Sequence, residues 1–355
     1  MKKIIFTAVI LVFALSIELQ AKIYTWTDEK GVAHISNHPP QKKGIQSPTP
    51  KKNTEKDSTK ETLNNIEENR LQIPGTKVTL IPPPEFSKAD RFPGFFLREA
   101  DSSIMVTEMP GPYNEITKGY NKIDLSTRGM SLIEKKNVTV CGKNGLLLNI
   151  TQTAHKKLYQ KWIIVFGNKN ETFLVTATFP QELRDQLSNA LRSSILSTRC
   201  SSDTGKSFFE GLTFSISASP KMKFAKRMGN NITMTKDGSF PAKNETDPFL
   251  IAGASISEGL VVDNKKSFAI KRVQHIASLK NIEIEDIKSI TIDNLFGYEI
   301  TARGTDKNHG GTNYAYQVIL FGKTDYYMIF GIVTADEKAD YFPTFRQIAK
   351  TFKQK

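Results

Sequence analysis

From residue 71 onward, apolar side chains recur in short runs rich in β-branched and aromatic residues, broken by polar tips. Such runs suit a pleated, half-buried surface and predict strands at 146–151, 162–167 and 172–176, and again at 298–302, 316–322 and 326–332. Helical spacing replaces this pattern at four places. Ile116, Tyr120 and Ile123 form one stripe, and Ala269, Val273 and Ile276 form another. Leu183, Leu187, Leu191 and Ile195 make a third, with Pro180 suited to the first helical position. Thr334 and Glu337 fit a capping box for the fourth, which Pro343 is expected to split in two.

These landmarks recur at a fixed distance. Val138-Thr139-Val140 followed by Gly145 matches Ile290-Thr291-Ile292 followed by Gly297, an offset of 152 positions. Adding 152 to Gly129 gives Asn281, and Gly and Asn are the residues that best tolerate the left-handed conformation closing a helix. Phe166-Gly167 matches Phe321-Gly322 at an offset of 155, a drift that a hairpin tip longer by three residues would produce. The segments 70–200 and 207–355 therefore read as divergent copies of one α/β sandwich, each an antiparallel sheet with helices against it.

The first 70 residues read differently. Lys2 and Lys3 precede an apolar run from Ile4 to Ile17, and a small residue, Ala21, follows before Lys22. This is the pattern of a cleaved export signal over 1–21, too short to span a membrane. Residues 22–40 are compact and aromatic. Between 41 and 69 the large apolar side chains are Ile45, Leu63 and Ile66, too few to offset the ordering entropy, so this stretch reads as a disordered linker spanning about 30 Å.

Composition adds little that the pattern lacks. The chain has 355 residues, is 39% hydrophobic and 24% charged, and carries a formal charge of +13, which excludes collagen-like, disulfide-dense and polytopic membrane classes. The positive excess is dispersed, with short clusters at Lys226-Arg227, Lys265-Lys266 and Lys271-Arg272. A nucleic-acid binder would need a grooved or aromatic-interleaved basic patch, so nucleic acid is not expected as a partner.

Two resemblances follow from particular residues. Tyr24, Trp26, Asp28, Gly31, His34, Ser36, Pro39 and Pro40 fit the pattern Tyr-x-Trp-x-Asp-x-x-Gly-x-x-His-x-Ser-x-x-Pro-Pro. This resembles a short N-terminal domain of unknown function in exported proteins of Gram-negative bacteria, and implies an envelope location. The residues themselves read as a hairpin with Tyr24, Trp26 and His34 alternating onto one face, the candidate partner contact. The order of elements in 71–355, with motifs such as Lys161-Trp162-Ile163-Ile164-Val165-Phe166-Gly167, more loosely resembles the PsbP-like fold of the extrinsic photosystem II subunit and the MOG proteins. That resemblance implies a non-catalytic binding or assembly module and transfers no site residues.

Reactive chemistry is scarce. None of His34, His38, His155, His275 and His309 stands in an H-x-x-x-H or H-E-x-x-H arrangement. His155 and His309 both fall in polar hairpin tips, where solvation, rather than a shared metal or ligand position, is the expected reading. Glu283 and Glu285 lie at strand spacing on one face, a surface pair or a carboxylate dyad. The glycines from Gly304 to Gly311 belong to a hairpin tip rather than a phosphate loop. Cys141 and Cys200 form an even count in an exported chain, which favours a bridge over two buried thiols.

The expectation is an α+β protein: signal peptide 1–21, β-hairpin module 22–40, linker 41–69, and PsbP-like repeats at 70–200 and 207–355. It is expected to be periplasmic or secreted, to need no cofactor, catalytic residue or metal, and to act by binding an envelope protein. The alternatives are docking on anionic cell-wall or outer-membrane material, and a hydrolase with its site between the repeats.

Overall fold

The computed structural model describes residues 24–27, 33–36, 69–154, 156–201, 209–256 and 262–355, with the backbone alone for the first two segments. The expected signal peptide, the expected linker up to residue 68, His38 and His155 lie outside the described residues. Strands β1 (Tyr24–Thr27) and β2 (Ala33–Ser36) pair antiparallel, with Trp26 opposite His34.

Two seven-stranded antiparallel sheets follow. The first is built from β5 (Ser87–Lys88), β6 (Gly94–Leu97), β7 (Ser102–Pro110), β8 (Met130–Val140), β9 (Lys143–Ala154), β10 (Lys157–Gly167) and β11 (Glu171–Pro180). Its spatial order is β5-β6-β7-β11-β10-β9-β8. The second comprises β14 (Lys223–Met228), β15 (Asn231–Thr235), β16 (Phe249–Ala254), β17 (Leu279–Ile292), β18 (Leu295–Asp306), β19 (Thr312–Phe321) and β20 (Tyr326–Thr334). Its order, β14-β15-β16-β20-β19-β18-β17, repeats that of the first.

Around the first sheet lie α1 (Tyr113–Ile116), α2 (Lys122–Ser126) and α3 (Arg184–Leu196); around the second lie α4 (Lys265–Gln274) and α5 (Lys338–Lys350). After α3, the short strand β12 (Arg199–Cys200) returns to pair with β4 (Val78–Leu80), which β3 (Leu71–Gln72) flanks. After α5, β21 (Lys353–Gln354) pairs likewise with β13 (Phe214–Ser215).

Each sheet is covered on both faces. Against α3, Ile164, Phe166, Phe173, Val175 and Phe179 pack with Leu191 and Ile195. Against α5, Tyr316, Val318, Leu320, Tyr327 and Ile329 pack with Phe345 and Ile348. The opposite faces are covered by the shorter helices, Leu125 of α2 on one sheet and Ala269 and Val273 of α4 on the other.

Strand register decides which positions correspond. Val138 opposes Gly145 and Ile290 opposes Gly297, which preserves the offset of 152 through the β8–β9 and β17–β18 hairpins. In β10 and β19 the structural offset is 154, not 155. Trp162, Ile164 and Phe166 share the α3 core, and Tyr316, Val318 and Leu320 share the α5 core. Phe321 points to the other face, toward Phe268 of α4. Because successive strand residues alternate between faces, the Phe-Gly match is a coincidence of sequence one register step away from the structural one.

Several local expectations are corrected. Ile123 is 75% exposed and the stripe through Ile116 and Tyr120 is broken into two short helices joined by a 3-10 turn. Pro180 ends β11 rather than opening a helix, and a 3-10 turn over Gln181–Leu183 precedes α3. Glu337 makes no side-chain cap, and α5 runs unbroken through Pro343. Gly129 and Asn281 both have positive φ, at 69° and 52°, but Asn281 sits in β17, where the register shifts, rather than at a helix end.

Polar side chains reach between the two units. The Arg227 guanidinium lies over Gly75 and donates to the Glu210 carbonyl, and its Nε donates to the Gly229 carbonyl at 2.9 Å. Arg91 reaches from the first unit to the Thr324 carbonyl at 3.1 Å and to its hydroxyl at 3.2 Å.

Candidate functional site: a cationic cleft at the end of the second sheet

The β17–β18 connection is a two-residue turn. Asp293 and Asn294 both have positive φ, 49° and 62°, as the tightest hairpin type requires. Asp293 accepts from Lys353 Nζ at 3.0 Å and from the Gln354 backbone N–H at 2.7 Å. These partners, the lysine first, hold its carboxyl below the ordinary range. The turn is thereby tied to β21.

The first sheet makes the same junction covalently. Its matching turn, Cys141-Gly142, has φ of 53° and 67°, and Cys141 is disulfide-bonded to Cys200 of β12 with a Cα–Cα distance of 5.6 Å. An ion pair and a backbone hydrogen bond in one unit thus stand where a disulfide stands in the other.

A cleft of about 690 Å³ opens beside the second turn. Asn294, Leu295, Phe296 and Gln354 line it. Phe321 at the end of β19, Gly322, Lys323, Thr324 and Asp325 of the β19–β20 turn, Val262 before α4 and Lys265 at its start also line it. Arg91 enters from the first unit. A volume of this size suits a ligand or a short segment of a partner.

Three cations therefore converge on the cleft with one carboxylate, that of Asp325. Arg91 lies 3.6 Å from the Asp325 carboxylate, which also accepts from the Tyr327 hydroxyl at 3.2 Å. Lys265 Nζ stands 5.5 Å from the Phe321 ring centroid, a cation–π contact. Phe296 is 41% exposed, and its ring packs edge-on against Tyr298 at 5.3 Å.

A second cleft of about 510 Å³ lies at the corresponding end of the first sheet, lined by Tyr113, Asn137, Val138, Thr139, Asn144 and Gly145. No charged side chain lines it.

The residues singled out from sequence are placed as follows. Glu283 pairs with Arg303 at 2.6 Å and Glu285 with Lys338 at 2.8 Å, so each carboxylate has a surface cation instead of the other. His309 lies 2.9 Å from Glu245 and 3.2 Å from Asp306, and the hydrogen bond with Glu245, foremost, raises its pKa. Among the described residues no group of three His, Cys, Asp or Glu side chains could hold a metal ion. Trp26 and His34 face each other in the backbone register of β1 and β2.

The cleft itself was not legible as a site. Of its residues, only Lys265 belongs to a basic cluster noticeable in sequence, while Arg91, Lys323 and Phe296 carry no local signal.

Comparison with known proteins adds a family match at the N-terminus. Residues 11–62 match the model of a domain of unknown function, DUF4124. No curated protein matches the chain. Among solved structures, the immunity protein TplEi of the type VI secretion system from Pseudomonas aeruginosa is similar at 14% identity, over 79% of this chain and 96% of that one, with a TM-score of 0.32. LpqN of Mycobacterium tuberculosis, described as involved in cell envelope biogenesis, matches at 9% identity over 39% of this chain and 82% of its own, with a TM-score of 0.31. The cyanobacterial PsbP of Synechocystis sp. PCC 6803 matches at 9% identity over 40% and 82%, with a TM-score of 0.27.

Proposed function

We propose that the chain is an exported, non-catalytic envelope protein whose two sandwich units, 70–200 and 207–355, are divergent copies of one fold, and that it acts by binding a protein partner. The carrying observation is the makeup of the cationic cleft. Its one carboxylate is engaged by Arg91 and the Tyr327 hydroxyl, and no nucleophile stands beside a base, whereas an exposed aromatic ring and three cations line its walls. Such a surface suits recognition rather than bond cleavage.

Export is supported by the basic and apolar leader and by the N-terminal family match. No helix among the described residues is long and apolar enough to cross a membrane. Cleavage after Ala21 would make Lys22 the mature N-terminus. N-terminal sequencing of the exported protein should read Lys22 first, and an intact Met1 would refute the cleavage.

The binding role is tested by placing a photocrosslinking residue at Phe296 and another at Ile123, an exposed site on the first unit, then irradiating the exported protein in cells. A discrete crosslinked protein from position 296 alone supports the reading. Turnover of an envelope substrate that one point substitution abolishes without unfolding would replace it with an enzymatic one.

A further inference from the structure

The cleft of the second unit gathers Arg91, Lys265 and Lys323 around one carboxylate, that of Asp325. Elsewhere in the second unit, Lys338, Lys353 and Arg346 each stand against a carboxylate. Neither Lys265 nor Lys323 does, among the described residues. Uncompensated cations around a concavity raise the local potential and favour an anionic occupant.

The walls add a second requirement. Phe296, Leu295 and Val262 leave apolar surface in the same concavity, so a bare inorganic anion would leave them in contact with water. Asn294 and Gln354 supply amide donors and acceptors of the kind that satisfy a peptide backbone.

Resting on the binding-module reading, we propose that this cleft receives an acidic peptide segment of the partner, with carboxylates directed to Lys265 and Lys323 and an apolar side chain against Phe296. Because Arg91 comes from the first unit, the complete site exists only when the two units are docked.

The test uses the mature full chain and a fluorescein-labelled peptide, Gly-Asp-Phe-Glu-Asp-Gly, followed by anisotropy. Its comparator replaces the acids with Asn and Gln. The acidic peptide should bind about tenfold or more tightly than the amide version, as close charge pairs at interfaces do, and more weakly with rising salt. Lys265→Glu with Lys323→Glu should abolish that preference. Lys169→Glu with Lys122→Glu, the same change of charge on the first unit, should leave it intact.

Equal binding of the two peptides, or no effect of the cleft variants, overturns the inference. So does binding of phosphatidylglycerol vesicles, through the same two lysines, without binding of the peptide. A Phe296 crosslink to a protein, found alongside any of these, overturns the acidic-segment inference while leaving the binding-module reading standing.

Discussion

Gly145 and Gly297 hold matching places in the two sheets but meet different surroundings. A Cβ added at Gly297 would lie 2.0 Å from the Ile319 carbonyl oxygen, a backbone atom that cannot turn aside. At Gly145 the nearest atoms, Phe166 Cβ and the Val165 carbonyl oxygen, are 3.1 Å away. Gly297→Ala should destabilise by about 1–3 kcal/mol, with Gly145→Ala costing visibly less, read from urea midpoints at constant slope. His309 gives a second test at this scale. Its contact with Glu245 favours the imidazolium, so the contribution is full below the ordinary histidine value and fades as pH rises through the raised one. An NMR titration should place His309 above an ordinary histidine, and Glu245→Gln should bring it down.

At the scale of elements, the turn that begins β9 and the turn that begins β18 are secured by different chemistry. The Cys141–Cys200 bridge closes a separation of 59 residues, for which chain entropy gives about 4 kcal/mol. Its Ser/Ser variant should lose stability on that order in the first unit. The Asp293 junction is instead sensitive to acid. A carboxyl held below its unfolded value stabilises above that value, and the benefit disappears as pH falls through the depressed one. Asp293→Gly, which keeps the positive φ comfortable, should remove this acid-dependent component and expose the Gln354 amide to faster hydrogen exchange. Reductant should loosen only the first junction. The outer strands β8 and β17 follow one rule at this scale too: each carries a register shift and charged side chains, Glu134 to Lys136 in one and Glu283 to Lys288 in the other. Both features discourage pairing with another sheet.

At the scale of the whole molecule, the contacts between units include Arg227 against Gly75. Burial lowers the pKa of Arg227 to about 10, and its guanidinium lies over Gly75, where φ is 69° and an added Cβ would lie 2.0 Å from Nη1. Arg227→Ala and Gly75→Ala should each uncouple the units, separating their calorimetric transitions and raising the radius of gyration by scattering. The Arg91 contact with Thr324 and Asp325 would be lost with them, and with it one cation of the cleft. Unchanged transitions and radius in both variants would show that the units are held together elsewhere.

What the sequence determined by itself is local and compositional. Short β-rich runs, the helix stripes of α3 and α4, and the offset of 152 between Val138–Gly145 and Ile290–Gly297 can be read because strand and helix periodicity act over a few residues. The offset beyond those segments could not be read correctly. The stretch from Ile163 to Gly167 is buried throughout, so its apolar pattern does not say which face a given residue takes, and the Phe-Gly match slipped by one position. Pro343 likewise follows a strong local rule that packing of Phe342, Phe345 and Ile348 on the sheet overrides. Only tertiary structure decided the cleft. Arg91, Lys265, Phe296 and Lys323 belong to four separate elements, and what brings them together is the docking of two units and the closing of two hairpins, which no spacing along the chain encodes.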